Sequence, residues 1–467
     1  MIRNGKKKAI SCALVAAMSV GLAACGTTSY DFKVSYDGIK TGDVSSKVSV
    51  HDPSILKADG EYYIFGSHMS AAKSSDLLNW EKVADGYSKK NPVYGQIYDV
   101  ADEAFAYSGS KNSLIKTDDK QVHVWAPDVI YNETTGLYYM YYCTTSTWNA
   151  SNLCYGTSTT PEGPYEWQGA LIYSGFNRKT ISGTDVLDYV DEDYAYKNYI
   201  KGAQYNYEDY PNAIDPTVFY DADGRMWMVY GSWSGGIFLL EIDKTTGLVI
   251  HPEADKANNV DPYYGKRLLG GGHISIEGPY IMYDETSGYY YLFVSYGALT
   301  SNGGYQVRVF RSKTVDGEYV DMNGKYPEKS AQHQNFGLKL TGNYKLPSLE
   351  KAYMATGHNS AFVDDDGRMY LVYHTRFNDN GEGHSPRVHQ MLVNEDGWPC
   401  ELPYQTQGET VNKDGYDADD IIGRYYVINQ GTAIDSKIAN PVILYLEKNG
   451  KVKGEKSEGT WECKDGS

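Results

Sequence analysis

A short pattern that returns five times along the chain constrains the fold more than any other feature of the sequence. Each copy combines a short apolar run, a turn built around Gly, and an aromatic-rich run. The copies begin at His51, Ala126, Asp215, Glu277 and His358. Two such runs around a tight turn are typical of a β-hairpin, because Gly adopts the positive φ that the turn needs. The sequence therefore predicts five similar hairpins.

The copies are spaced too far apart for one hairpin to fill each unit. Each unit is longer than the forty-odd residues of the familiar repeats, and it has room for four strands and their loops. Four-stranded sheets arranged around an axis form a β-propeller, in which the repetition protects the strand edges. We therefore predict an all-β chain whose residues 48–404 form a five-bladed β-propeller. Binding loops are expected at the mouth of its channel.

Four chemically active side chains occupy equivalent or adjacent places in the copies. Asp52, Asp215 and His358 correspond to one another, and Glu277 lies one place earlier. If the copies are rotated about one axis, these side chains converge on one point. The alternative for Asp52 is a turn residue that caps the backbone before Pro. Its correspondence with Asp215 and His358 favours a functional site.

Composition narrows the class of ligand. The chain contains 45 Tyr, 8 Trp and 11 Phe, and its formal net charge is -17. The negative charge argues against nucleic acid and anionic membrane surfaces as partners. Tyr and Trp offer an apolar face with a polar edge, which suits stacking on carbohydrate. Most of the Tyr are explained equally well as half-buried strand residues.

Residues 1–25 have the pattern of a targeting segment, with three Lys near the start, an apolar stretch and the segment Leu22–Cys25. That segment resembles the lipobox of bacterial lipoprotein signals, which implies cleavage before Cys25 and lipidation of its thiol. Residues 26–47 would then tether the mature chain outside the cytoplasm, at the cell surface or in the periplasm. The alternative is an ordinary secretory signal with an incidental Cys.

Cys143 and Cys154 flank a segment that reads as the connection between two antiparallel strands. In an oxidising compartment they would suit a cross-strand disulfide, but two buried thiols would look the same in sequence. Both interpretations stay open at this level.

Together, the motifs resemble glycoside hydrolase family 43, and among its members the longer endo-α-1,5-L-arabinanases with a C-terminal β domain. The resemblance extends over residues 48–404. It rests on the segments His51–Ser54, Val124–Val129, Asn212–Pro216, Tyr230–Gly236, Ile276–Pro279 and Gly357–Ser360. Those enzymes are five-bladed propellers that cleave α-1,5-linked arabinan with inversion. The resemblance therefore implies a monomeric hydrolase acting on arabinan or arabino-oligosaccharides.

The resemblance and the repeat together assign roles to the three acidic residues. Inverting cleavage needs a carboxylate that activates water and a carboxylic acid that protonates the leaving oxygen. Asp52 corresponds to the base and Glu277 to the acid. Asp215 corresponds to a third acidic residue that raises the pKa of Glu277 and orients it.

The resemblance also implies a metal ion and a set of sugar contacts. His358 would coordinate one calcium ion at the propeller axis, although calcium prefers oxygen ligands and a hydrogen-bonded structural His is the alternative. The residues implied to line the sugar subsites are Trp125, Asn212, Ser232 and Trp233. For the two Trp, packing in the core is the alternative.

The character of the chain changes after the propeller. Residues 405–420 are polar and rich in Gly and Asp, and we expect a linker there. Residues 421–467 contain three strand-like runs and an Asn449-Gly450 hairpin turn. A closed barrel needs more strands than this. We therefore expect an incomplete C-terminal β domain.

Two other functions remain open. An exo-acting α-L-arabinofuranosidase or β-xylosidase would use the same three acidic residues, because the loops decide the mode of action. A non-catalytic surface glycan-binding lipoprotein would keep an aromatic cleft without the chemistry. The presence of all three acidic residues favours an enzyme.

Overall fold

The described residues form five sheets in a ring, a two-stranded hairpin that precedes the third of them, and a further four-stranded sheet after the ring. The computed structural model describes residues 29–36, 46–86, 90–94, 104–108, 123–145, 148–327, 333–412 and 414–464. The predicted signal and the lipidation site at Cys25 lie outside these residues. In the described part of the chain, no helix is long and apolar enough to cross a membrane.

The first two sheets have four antiparallel strands each, in chain order. The strands of the first sheet are β1 (Ser54–Ala58), β2 (Glu61–Gly66), β3 (Ser70–Ser74) and β4 (Glu81–Ala84). Those of the second are β5 (His123–Asn132), β6 (Leu137–Thr145), β7 (Ser151–Ser158) and β8 (Glu166–Ser174).

The third sheet is larger than predicted. After the small hairpin of β9 (Ile200–Lys201) and β10 (Gln204–Tyr205), it contains β11 (Thr217–Tyr220), β12 (Met226–Tyr230), β13 (Ile237–Ile242), β14 (Val249–Ile250), β15 (Val260–Asp261) and β16 (Gly265–Leu269). The two additional strands, β14 and β15, lie at its outer edge. Each is two residues long, too short to leave a periodic pattern in the sequence.

The fourth and fifth sheets return to four strands. The fourth contains β17 (Ile276–Asp284), β18 (Tyr289–Tyr296), β19 (Gln306–Ser312) and β20 (Leu338–Thr341), and the fifth β21 (Tyr353–Val363), β22 (Met369–Phe377), β23 (Ser385–Val393) and β24 (Pro399–Glu401). In each of the five sheets, the first two strands form one of the predicted hairpins around the repeat's Gly turn.

The innermost strands close the ring. Strand β1 lies against β5, β5 against β11, β11 against β17, β17 against β21, and β21 against β1. A separate apolar cluster fills each of the five spaces between neighbouring sheets. The result is the β-propeller that the repeat predicts, with its channel at the centre of the ring.

The connection from β8 to β11 is a long segment at the start of the third sheet. It carries the helices Val186–Tyr189 and Glu192–Asn198. The sequence does not reveal these helices, because helices this short have no detectable apolar period. Tyr199 of this segment donates a hydrogen bond to the buried Asp261 at 2.8 Å, which ties the connection to the third sheet.

The two cysteines of the second sheet are free and buried. Cys143 is opposite Leu153 and Cys154 is opposite Tyr142 in the pairing of β6 and β7. Successive side chains on a strand point to opposite faces, so the two thiols lie on different faces of the sheet. Of the two alternatives left open by the sequence, the structure has the pair of buried thiols.

The C-terminal sheet contains β25 (Gly423–Val427), β26 (Val442–Leu446), β27 (Lys451–Gly454) and β28 (Glu458–Thr460), after a helical turn at Ala418–Ile421. Its segment around residues 432–439 lies on the propeller. Arg308 donates to the Thr432 carbonyl at 2.5 Å, and Lys345 donates to the Ala439 carbonyl at 3.1 Å. Gln405, in the predicted linker, is buried and donates to the Leu77 carbonyl at 3.1 Å.

Candidate active site

In each sheet, one residue in the innermost strand or two places before it has a left-handed backbone. These residues are Asp52, Ala126, Asp215, Gly278 and His358, with φ values of 58°, 43°, 53°, 56° and 47°. In the second, fourth and fifth sheets the strand pairing changes register here, as in a β-bulge. Left-handed backbone is costly for residues other than Gly, and such strain is concentrated at functional sites. The sequence repeat therefore corresponds to a repeated kink around the axis.

The kinks bring the four predicted side chains together. His358 Nδ1 lies 3.0 Å from Asp52 Oδ1, and Asp215 Oδ2 accepts a hydrogen bond from the Gly278 N–H at 3.1 Å. A Cβ atom on Gly278 would lie 3.1 Å from the His358 ring. Gly278 takes the left-handed place of the fourth sheet, and Glu277 precedes it, as the spacing predicted.

Both oxygens of Asp52 are held in place. Oδ1 lies 3.0 Å from His358 Nδ1 and 3.0 Å from His51 Nε2. Oδ2 accepts from Ser67 Oγ, which in turn accepts from the Ala126 N–H at 2.9 Å. Burial opposes the charge on this carboxylate, but His358 and His51 outweigh burial and hold its pKa well below the usual range. Asp52 is therefore ionised at neutral pH.

Glu277 has a different environment. Tyr305 donates to its Oε1 at 2.6 Å, while Trp233 Nε1 and Ser232 Oγ donate to its Oε2 at 2.6 Å and 3.3 Å. Burial, together with the negative charge of Asp52, raises the pKa of Glu277 although the Tyr305 and Trp233 hydrogen bonds oppose the shift. These effects favour the protonated form of Glu277. Tyr305 fixes one of its oxygens, and Trp233 and Ser232 fix the other.

Asp215 is the third carboxyl group of the site. It is buried, and the Gly278 N–H is its hydrogen-bond donor. Burial raises its pKa most, His358 opposes the shift, and the charges of Glu277 and Asp52 add to it. Because Asp215 and Glu277 repel each other when both are ionised, ionisation of one disfavours ionisation of the other.

His358 occupies a position that favours positive charge. Burial lowers the pKa of its ring, but Asp52 and Asp215 outweigh burial and raise it to about 9. Its backbone N–H donates to Ser295 Oγ at 2.7 Å, and this bond ties His358 of the fifth sheet to the fourth sheet. Since Nδ1 faces Asp52, Nε2 is the ring atom left to hold a cation. An imidazole nitrogen among three carboxyl groups fits a cation.

Three further histidines line the other side of Asp52. Nitrogen atoms of His51, His374 and His384 lie within 4.8 Å of one another. The His51 and His384 rings stack with centroids 3.9 Å apart, so their in-plane lone pairs do not converge on one ion. Arg376 also donates to His384 Nε2 at 2.9 Å. Burial lowers the pKa of His51 to about 4 and that of His384 to about 3, so both rings are neutral.

A row of aromatic rings begins at His68, which is close enough to Asp52 for that carboxylate to act on the pKa of the His68 ring. The Trp125 ring stacks on His123 with centroids 4.9 Å apart and meets the edge of Trp148 at 5.0 Å, while His68 contacts His123 at 5.8 Å. Trp148 is 63% exposed. Asn212 donates to the Trp148 carbonyl at 2.6 Å, so its amide braces the backbone that carries this ring.

Sequence reasoning did not identify several residues of the site. Tyr305, Ser67, His374 and Trp148 lie outside the repeated positions, on loops or on second strands, and no spacing relates them to the acidic residues. Trp233, predicted to line a sugar subsite, uses its indole N–H to hold Glu277. Its contact with a sugar stays a prediction, as do those of Trp125, Asn212 and Ser232.

Two family models match the chain. The one described as glycosyl hydrolases family 43 matches residues 44–209 and 191–399. A second, described as a C-terminal lipocalin-like domain, matches residues 403–467.

Among curated proteins, the chain is similar to two extracellular arabinanases. It is 39% identical over 429 residues to an endo-α-(1→5)-L-arabinanase of Thermotoga petrophila, covering 89% of this chain and 83% of that protein. It is 37% identical over 444 residues to endo-α-(1→5)-L-arabinanase 2 of Bacillus subtilis, covering 90% of this chain and 83% of that protein.

Solved structures agree with this similarity. A crystal structure of the endo-1,5-α-L-arabinanase from Thermotoga petrophila has a TM-score of 0.75 at 38% identity, covering 91% of this chain and 88% of that one. A family 43 protein from Bacillus licheniformis has a TM-score of 0.76 at 37% identity, covering 89% and 87%. The chain therefore belongs to glycoside hydrolase family 43 and is a glycosidase.

Proposed function

We propose that the protein is an extracellular endo-α-1,5-L-arabinanase that hydrolyses its substrate with inversion. The observation that carries the proposal is that the pKa values of two neighbouring carboxyl groups are shifted in opposite directions. The pKa of Asp52 is lowered and that of Glu277 is raised. Titratable groups whose environments push their pKa values apart are suited to be the base and the acid of one reaction. The similarity to two extracellular arabinanases supports the substrate.

In this mechanism the two residues act on opposite sides of the glycosidic bond. Asp52, ionised, removes a proton from the water that attacks the anomeric carbon. Glu277, protonated, gives its proton to the departing oxygen, so the sugar leaves as an alcohol. One proton is gained and one is lost by the protein, and exchange with solvent restores both residues.

Asp215 supports the acid rather than replacing it. Its carboxyl group lies beside Glu277, and its charge helps to raise the pKa of Glu277. The Gly278 N–H bond to Asp215 also holds the backbone that carries Glu277. Asp215 therefore helps both to keep the proton on Glu277 and to aim it.

A calcium ion held by His358 belongs to the same proposal. The proposal is supported by Asp52 and Asp215, whose charges raise the pKa of the ring and would also attract a metal cation. When bound, the ion offsets repulsion among the three carboxyl groups and favours the ionised form of Asp52. The ring's own part is to hold Asp52 Oδ1 through Nδ1.

The aromatic row supports cleavage within a chain. The rings of His68, His123, Trp125 and Trp148 contact one another in this order, and His68 is the one near Asp52. Aromatic faces stack on sugar rings, and a row of them suits several consecutive sugars better than a single terminal one. We propose that arabinan lies along this row. Lipidation of Cys25 would keep the enzyme at a bacterial membrane, as the lipobox resemblance implies.

Digestion of linear arabinan tests the proposal. We expect a mixture of oligosaccharides early in the reaction, and NMR should show the first product with the anomeric configuration opposite to that of the substrate. Glu277→Gln serves as the matched inactive variant. Release of arabinose alone from the start would replace endo action by exo action, and retained configuration would exclude the inverting mechanism.

A further inference from the structure

A second ring of side chains lies one layer below the candidate active site. Two places after each left-handed residue, the innermost strands carry Ser54, Asp128, Thr217, Tyr280 and Ser360. At the site itself the second sheet has Ala126, so it places no charged side chain at the kink. In the layer below, it contributes the only carboxyl group of this ring of five.

Asp128 joins the sheets on both of its sides. It is 2% exposed. Its Oδ1 accepts from Ser54 Oγ of the first sheet, and its Oδ2 accepts from the Val218 N–H of the third sheet at 2.6 Å. A hydroxyl group of the same layer can donate to one neighbouring sheet only. Thr217 Oγ1, for example, donates to the Pro279 carbonyl at 2.8 Å.

The two residues that donate these bonds lie close in sequence to acidic residues of the site. Ser54 follows Asp52 by two residues, and Val218 follows Asp215 by three. Each donor is therefore carried by the strand that leads away from one of these carboxyl groups. The distance between the two strands depends on the width of one carboxylate, because both of its oxygens are used.

We propose that Asp128 is a positioning residue that sets the separation of Asp52 and Asp215 by clamping the first and third sheets together beneath them. The inference rests on the proposed function, because it assigns a purpose to the spacing of the acidic residues. A displacement of about 1 Å in a reacting group can cost about 10²-fold in rate. We expect a clamp of this kind to act on kcat, since Asp128 is buried and its two oxygens are bonded to Ser54 and the Val218 N–H.

Substitutions of Asp128 separate a clamp from a charge. Asp128→Ala removes both acceptors, and we expect kcat on linear arabinan to fall by about 10²-fold with KM within about twofold. Asp128→Asn keeps the bridge: its carbonyl accepts from the Val218 N–H, and its amide donates to Ser54 Oγ, which also accepts. We expect this variant to recover most of kcat.

Asp321→Ala is the matched control. Asp321 is also buried, accepts two backbone N–H bonds, and lies in the connection from β19 to β20. Its loss should lower the melting temperature with little change in kcat. A folded Asp128→Ala variant with wild-type kcat would overturn the proposal, and so would an Asn variant as slow as the Ala variant.

Ser54→Ala decides the matter if Asp128→Ala does not fold. It removes the bond to the first sheet alone. A lower kcat with unchanged KM supports the clamp, and wild-type kcat overturns it. Failure of the proposed function would be seen separately, as a wild-type protein that does not cleave arabinan.

Discussion

At the scale of single residues, environment distinguishes carboxyl groups that the sequence makes alike. Asp52 faces two imidazoles, while Glu277 faces a phenol, an indole and a hydroxyl. Interaction with His358 favours the carboxylate of Asp52, whereas burial and the nearby charge of Asp52 favour the acid form of Glu277. The repeat could predict that these residues meet. It could not predict their partners, because Ser67 and Tyr305 lie outside the repeated positions.

The assigned roles predict different rescue of two variants. Asp52→Ala and Glu277→Ala should each reduce arabinan hydrolysis by about 10²–10⁴-fold. An aryl arabinoside with an activated leaving group needs no proton donor, so Glu277→Ala should recover on it and Asp52→Ala should not. Steady-state rates on both substrates measure this. Recovery of Asp52→Ala alone would show that the two roles are reversed.

We expect the ionised form of Asp215 to lower the stability of the folded chain. Because burial raises its pKa in the folded chain, the folded state binds the proton more tightly than the unfolded state does. Stability is then highest below the unfolded pKa and falls as pH rises towards the folded pKa. Asp215→Asn removes this loss, and we expect it to be more stable than wild type by on the order of 2 kcal/mol at pH 8 but not at pH 4. Melting temperatures at the two values measure it.

Asp221→Asn is the control of opposite sign. Asp221 is also buried, but the Trp227 and Arg225 bonds outweigh burial and lower its pKa. Its stabilising contribution is present above the unfolded pKa and is lost as pH falls through the folded pKa. This variant should therefore be less stable than wild type at pH 8. A gain for Asp215→Asn of equal size at pH 4 and pH 8 would contradict the assignment of the first effect to ionisation.

At the scale of elements, the sequence predicts the hairpins and misses the kinks that aim their side chains. A Gly turn between apolar runs is a local signal, so five hairpins could be identified directly. The left-handed backbone at Ala126 has no such signal, because Ala favours helical and extended backbone alike. The positive φ values show that Ala126, which opens the second copy of the repeat, has the same kink as Asp52 and Asp215.

Gly278 provides a test of the kink in the fourth sheet. Gly278→Ala should destabilise the fold by about 1–2 kcal/mol through its left-handed backbone. It should also reduce activity by at least about tenfold, because the new methyl group presses on His358, which contacts Asp52. Thermal unfolding and arabinan hydrolysis measure the two effects.

Gly288 offers a matched comparison on the same hairpin. Its φ is 65°, and a Cβ there would meet only the end of the Lys313 side chain at 3.8 Å. Gly288→Ala should lose similar stability and keep its activity. Equal losses of activity in the two variants would mean that strain, rather than crowding of His358, disturbs the site.

At the scale of the whole molecule, the architecture could be predicted because it follows from a repeat that is visible in the sequence. The repeat predicts a ring, and apolar clusters between neighbouring sheets close it. Features without a repeat were not predictable, such as the additional edge strands of the third sheet. The bonds from Arg308 and Lys345 to the C-terminal segment belong to this class, because they join residues distant in sequence with no shared pattern.

The calcium proposal is also a prediction about the whole molecule, because the axis is where all five sheets meet. His358 is fixed to the fourth sheet through Ser295 and contacts Asp52 of the first-sheet repeat. Removing a cation from this point leaves three carboxyl groups less compensated, which should reduce activity and melting temperature together. Exhaustive chelation followed by calcium add-back, with elemental analysis, measures both.

His358→Gln tests whether the effect of chelation passes through His358. The amide of Gln can contact Asp52, but it offers neither an imidazole ligand nor a positive charge. If calcium acts through His358, this variant should be nearly inactive and indifferent to chelation, because it has already lost what the chelator removes. The proposal fails if wild-type activity and melting temperature survive chelation and no calcium is found. In that case the positive charge at the axis is the imidazolium itself, and activity should be lost as pH rises through a pKa of about 9.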